Sequence, residues 1–130
     1  MGYNVLIVDD SSVVRKVLIK TFGMTDIEVN TFHQASNGKE ALELLKSNWV
    51  DLVFLDINMP VMNGMEFMKQ LKSDPQIADT PVVVVSTEGS KERIDELYAS
   101  GIKAFLRKPT TPESLVDTIV KVLGEIKHER

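Results

Sequence analysis

Three runs of four consecutive apolar residues constrain this chain more than any other feature: Val5-Leu6-Ile7-Val8, Leu52-Val53-Phe54-Leu55 and Val82-Val83-Val84-Val85. A strand with one face in water alternates apolar and polar residues. A strand buried on both faces reads as an unbroken apolar run, and that is the mark of a parallel sheet covered by helices on both sides. Two weaker strands are expected around Thr31–Ala35 and Ala104–Arg107.

Helical patterns lie between these runs. Val14, Val17, Leu18 and Phe22 follow the three-four spacing of one apolar face, with Ser11 or Ser12 as cap and Gly23 as stop. Ala41, Leu44 and Leu45 mark a second helix after an Asn37-Gly38 turn, and Met65, Met68 and Leu71 a third that ends at Asp74-Pro75. Ile94 and Leu97 mark a fourth, ended by Gly101. Leu115, Ile119, Val122 and Leu123 mark a fifth, opened by Thr111-Pro112-Glu113. Strand and helix thus alternate five times, which predicts an α/β fold with an open, doubly wound, parallel sheet.

Composition narrows the function. At 130 residues the chain is expected to be a single domain, 1–130, with room for one core and no second domain. A net charge of −4 argues against nucleic acid as a partner, because phosphate binding needs a basic face. With no cysteine, disulfides and thiolate metal sites are excluded. No apolar run reaches the roughly 18 residues of a membrane helix, no signal peptide is evident, and Leu6 breaks the myristoylation pattern. A cytoplasmic protein without membrane insertion is expected.

Ligands of such sheets bind outside the carboxyl ends of the strands. Asp9, Asp10, Asp56, Ser86 and Lys108 all fall at ends of that kind. Three converging carboxylates repel, by roughly 4 kcal/mol for a pair at about 4 Å and an effective dielectric of about 20. Hard oxygen ligands with no His or Cys select Mg²⁺, Mn²⁺ or Ca²⁺, and Mg²⁺, which keeps several waters, suits an open edge. A metal and the Lys108 amine beside a carboxylate make a place for a phosphoryl group, with one aspartate as nucleophile and the Ser86 hydroxyl bonding a phosphoryl oxygen. Each element alone has a plainer reading: Asp-Asp is more often a solvated turn or cap, Ser86-Thr87 loop chemistry, Lys108-Pro109 a surface turn. Their occurrence at the ends of separate strands is what carries the inference.

Four segments resemble the receiver domain of two-component response regulators, and the resemblance spans essentially the whole chain. They are Val8-Asp9-Asp10-Ser11, the stretch from Leu55-Asp56-Ile57-Asn58 to Asn63-Gly64, Pro81 to Glu88, and Phe105-Leu106-Arg107-Lys108-Pro109. The resemblance implies a flavodoxin-like sheet of strand order 2-1-3-4-5 with five helices, in a stand-alone, CheY-like member without an output domain. It implies that a histidine kinase phosphorylates Asp56. Mg²⁺ would be held by Asp10, Asp56 and the Asn58 carbonyl, with Asp9 acting largely through water. Ser86 and Lys108 would hold the phosphoryl group. Phe105 would be the aromatic switch, and the face of the fourth helix, fifth strand and fifth helix would carry the signal. Lys108-Pro109 is commonly cis in this family, and Asn58 and Glu88 flank the site and tune phosphate loss.

Phe105 stands where many relatives have Tyr, Ser86 where many have Thr, and Thr110 where an aromatic is frequent. The chain is then a phosphorylation-activated switch, not an enzyme beyond its own phosphoryl transfer and dephosphorylation. Its output is a separate protein, either a flagellar motor switch protein as in chemotaxis or a histidine phosphotransfer protein of a phosphorelay. A Mg²⁺-dependent phosphohydrolase with an aspartyl phosphate is a rival, weakened because Asp56-Ile57-Asn58 lacks the second acid typical of that class. A pseudo-receiver that only binds partners is another, weakened because the acids are intact. Met59, Met62, Met65 and Met68 recur every third residue and read as a loop plus a core helix face rather than a partner surface. His33 and His128 have no paired ligand. Trp49 is expected at the strand end away from the acids.

Overall fold

The computed structural model describes residues 2–57, 59, 62–87 and 89–128, with side chains described as far as Gly124. The elements alternate as β1 (Tyr3–Val8), α1 (Ser12–Phe22), β2 (Val29–Ala35), α2 (Gly38–Ser47), β3 (Leu52–Leu55) and α3 (Gly64–Ser73). They continue as β4 (Val82–Ser86), α4 (Lys91–Ala99), β5 (Ala104–Arg107) and α5 (Pro112–His128). All strand pairs are parallel, and the order across the sheet is β2-β1-β3-β4-β5. This is the doubly wound, flavodoxin-like sheet of five strands and five helices that the sequence predicts.

The unbroken apolar runs divide between two cores. Leu6, Val8, Val53, Leu55, Val82 and Val84 face one side, where Ala41, Leu42 and Leu45 of α2, Phe67, Met68 and Leu71 of α3, and Leu97 of α4 cover them. Val5, Ile7, Leu52, Phe54, Val83 and Val85 face the other, under Leu18 and Phe22 of α1 and Leu115, Ile119, Val122 and Leu123 of α5. Successive side chains of a strand point to opposite faces, so a strand with helices on both sides must be apolar throughout. Met59 and Met68 are buried, and Met62 and Met65 pack against the first core, so the methionine row belongs to the interior.

Capping explains most helix limits. Ser11 accepts from the amide of Val14, Asn37 from Glu40, Asn63 from Glu66 and Ser90 from Arg93. Thr111 and Ser114 exchange hydrogen bonds between each hydroxyl and the other's amide, which opens α5. Gly23 ends α1, as expected, in a right-handed conformation (φ −64°), and Gly101, after α4, takes the left-handed one (φ 108°). Two details depart from the sequence reading. Asn37-Gly38 is the cap and first residue of α2 rather than a separate turn. Val17 is 57% exposed, because α1 lies on the sheet with Leu18 and Phe22 and turns Val17 outward.

Candidate phosphoryl-transfer site

The strand order places β1 between β2 and β3, and the connections that leave the carboxyl ends of the neighbouring strands β1 and β3 run to opposite faces, α1 to one and α3 to the other. That is where a crevice opens in such folds. Register then brings the acids together. Val8 pairs with Leu55, and the amide of Asp56 donates to the Val8 carbonyl at 2.9 Å, so Asp9 and Asp56 leave neighbouring strands side by side. Asp9, Asp10 and Asp56 each offer an oxygen, and these atoms all lie within 4.8 Å of one another. Asp9 and Asp56 are buried and Asp10 is exposed, so the cluster has two walls and an open side.

Lys108 enters from the far side. Its amide donates to the Ser86 carbonyl at 3.0 Å, which fixes its backbone to the end of β4. Its Nζ lies 3.0 Å from Asp9 Oδ2 and 3.9 Å from Asp56 Oδ1. The Lys108-Pro109 peptide is cis. One ammonium against three carboxylates leaves an excess of negative charge, with like charges at about 4.8 Å repelling by roughly 3 kcal/mol at an effective dielectric of about 20. The donor set is all oxygen, open on one side, and charge-deficient, which fits a hard divalent cation such as Mg²⁺.

Ser86 is buried at the last position of β4, in register with Arg107. Phe105, in register with Val84, is half-buried and packs against the α2–α4 side core. Asn58 and Glu88, named from the sequence, lie outside the described residues. Sequence reasoning missed Arg15. Its guanidinium donates to the Asp9 carbonyl and, at 3.0 Å, to Gln34 Oε1, so it ties the first turn of α1 to the acid loop and to β2. The available signal was a cation one helical turn beyond the Ser11 cap. The Ser11 amide donates to Asp9 Oδ1 at 2.9 Å and holds that carboxylate's other oxygen.

The model of the response regulator receiver domain family matches residues 5–120. The chain belongs to this family. This receiver domain is 35% identical over 120 residues to a chemotaxis protein CheY homolog of Campylobacter jejuni, covering 92% of this chain and 91% of the relative. It is 37% identical over 123 residues to the chemotaxis protein CheY of Thermotoga maritima, covering 94% and 98%. The solved structure of Vibrio cholerae chemotaxis protein CheY4 superposes with a TM-score of 0.82 at 35% identity, covering 94% of this chain and 99% of that one. Receiver domains are signalling modules rather than classical enzymes, and they bind Mg²⁺ through an acidic pocket of the kind that Asp9, Asp10 and Asp56 form here. Among the described residues, no helix is long and apolar enough to cross a membrane.

Proposed function

We propose that this receiver domain is a phosphorylation-driven switch, with Asp56 as the residue that accepts a phosphoryl group from a histidine kinase. What supports this most directly is the Lys108 ammonium, held within 4 Å of two carboxylates that arrive from different strands. An oxygen of Asp56 forms a bond to phosphorus as the phosphorus–nitrogen bond of the donor phosphohistidine breaks; the imidazole departs with the electron pair and a proton on its other nitrogen. Lys108 exchanges its carboxylate contacts for the phosphoryl oxygens, and the Ser86 hydroxyl donates to one of them. Asp9, Asp10 and Asp56, with Asn58 as the further residue named from the sequence, would hold Mg²⁺, which would supply positive charge against the phosphoryl oxygens.

Movement of Ser86 toward the phosphoryl group lets the half-buried Phe105 turn inward, and the α4-β5-α5 face changes shape. The phosphoryl group shifts an existing equilibrium rather than creating a new fold. The relatives' names favour a chemotaxis-type output on a separate protein over a phosphorelay. Residues 1–130 act as one receiver unit in this reading.

The test is an amide NMR titration with Mg²⁺ and beryllofluoride, a phosphoryl mimic, with Asp56→Asn as control. Shifts at Asp10, Asp56, Ser86 and Lys108 that spread to Phe105 and α4, and that vanish in the variant, are expected. An equal response from the variant would remove Asp56 as the acceptor.

A further inference from the structure

A cavity of about 340 Å³ opens against the acid cluster, bounded by α1 on one side and by Lys108, Pro109 and Thr110 on the other. Its body is apolar, lined by Val13, Val14, Val17 and Leu18 of α1 and by Phe54 and Val85 of the sheet. Its polar end consists of Asp9, Asp56 and Lys108, the same groups that form the site above. The short side chain of Thr110 leaves the wall open where a larger residue would close it. Val13 and Val17, 68% and 57% exposed, make an apolar lip at its mouth. The volume is within the range of small-ligand pockets, roughly 300–1,000 Å³.

We propose that this cavity binds a small organic cation, a compact apolar ring carrying a primary amine, and that such a ligand excludes the divalent metal. The charge decides the head group. Two carboxylates of the lining, Asp9 and Asp56, with Asp10 within 4.8 Å of them, stand against one lysine, so an anionic head meets net repulsion and an ammonium meets acceptors. The walls decide the body, because a ring set between α1 and the sheet removes apolar surface from water on both sides. The ammonium then stands among the carboxylates that a metal ion needs, and the two compete. This competition alone rests on the metal reading; binding of the amine does not.

The test is an amide NMR titration of the metal-free full chain with tryptamine, and with indole-3-acetate as the same ring on an anionic head. Saturable shifts at Val13, Val14, Val17 and Thr110 are expected, with a dissociation constant on the order of a millimolar or below. Indole-3-acetate should bind at least about tenfold more weakly, and saturating Mg²⁺ should weaken tryptamine by about the same factor. Thr110→Phe and the surface substitution Val17→Trp both plug the cavity and should each weaken tryptamine, with the fold checked by circular dichroism. Absence of the shifts, equal binding of the anionic analogue, persistence of binding in saturating Mg²⁺, or undiminished binding in both folded variants overturns the proposal. Mg²⁺ alone is titrated separately. Shifts at Asp9, Asp10 and Asp56 without any tryptamine response sink the cavity and leave the metal site, and the converse result sinks the metal site.

Discussion

The Lys108 ammonium lies 3.0 Å from Oδ2 of Asp9, 99 residues away in sequence, and the pair is largely screened from water, with side-chain exposures of 22% and 6%. The same ammonium is 3.9 Å from Asp56. Lysine is therefore a counter-ion of the acid cluster, and a further cation must share the carboxylates with it.

Lys108→Met keeps the aliphatic stem and removes the charge. Loss of the competing cation should raise Mg²⁺ affinity by about three- to tenfold, since each about 1.4 kcal/mol of relieved repulsion is a factor of ten and solvent screens part of the interaction. Affinity for beryllofluoride should fall by at least about tenfold, because the mimic loses its ammonium partner. Calorimetric titration of each ligand reads both changes. Unchanged Mg²⁺ affinity would show that Lys108 does not balance the cluster.

Phe22 stacks edge-on against both Phe32 and Phe54, with ring centroids 5.3 and 5.4 Å away, and is 2% exposed. It joins α1 to β2 and β3 at the opposite end of the helix from the acid loop. Phe22→Ala should cost about 3–5 kcal/mol of stability by urea unfolding, from lost burial and the cavity left behind. Mg²⁺ affinity of the folded fraction should stay near that of the parent, because Phe22 is the last residue of α1, whereas Asp9 and Asp10 precede the first.

How far these features are legible in the sequence depends on how local their causes are. The runs ending at Val8, Leu55 and Val85 identified three strands, because burial on both faces leaves no freedom of composition. Convergence of Asp9, Asp56 and Lys108 followed, since a parallel sheet brings strand ends together whatever lies between. The start of β2 at Val29 was not legible: this edge strand is mostly polar, and only Ala35 within it is buried. The outward turn of Val17 was hidden because a valine at the three-four spacing fits a core face equally well. Arg15 escaped because its partner is the Asp9 carbonyl, and backbone acceptors leave no trace in a sequence. The cavity beside Thr110 escaped because its shape depends on how α1 lies over the sheet.

Glu40 is the titrating residue whose environment is most clearly read. Its carboxylate accepts from the amide and the hydroxyl of Ser36 at 3.1 and 2.8 Å, and these bonds, helped by the charge of Arg15, hold its pKa below the usual 4.5. A pKa depressed on folding contributes stability that is present above the unfolded value and is lost as pH falls through the folded one. Glu40→Gln should therefore lower stability above about pH 5, and the gap to the parent should close as pH drops below 4.5. Urea melts of both proteins across that window measure it. A gap that widens in acid would contradict the assigned direction.

Trp49 gives the last prediction. It lies just before β3, is 71% exposed, and donates its indole N–H to Asp51 Oδ1 at 3.0 Å. Asp51 in turn accepts from the Asn4 amide through its other oxygen, which anchors this corner at the amino ends of β1 and β3. Six residues separate Trp49 from Asp56, four of them in a strand that rises about 3.3 Å per residue, so Trp49 is about 20 Å along the chain from the acid cluster. Its immediate partners belong to elements that the proposed switch leaves alone. Addition of Mg²⁺ and beryllofluoride should therefore change the tryptophan emission little, while NMR shifts appear at the acids. Phe105→Trp, on the α4 side of the sheet, should make a reporter that does respond. A large emission change from Trp49 itself would mean that the transition reaches the opposite end of the sheet, and the picture of a signal confined to the α4-β5-α5 face would fail.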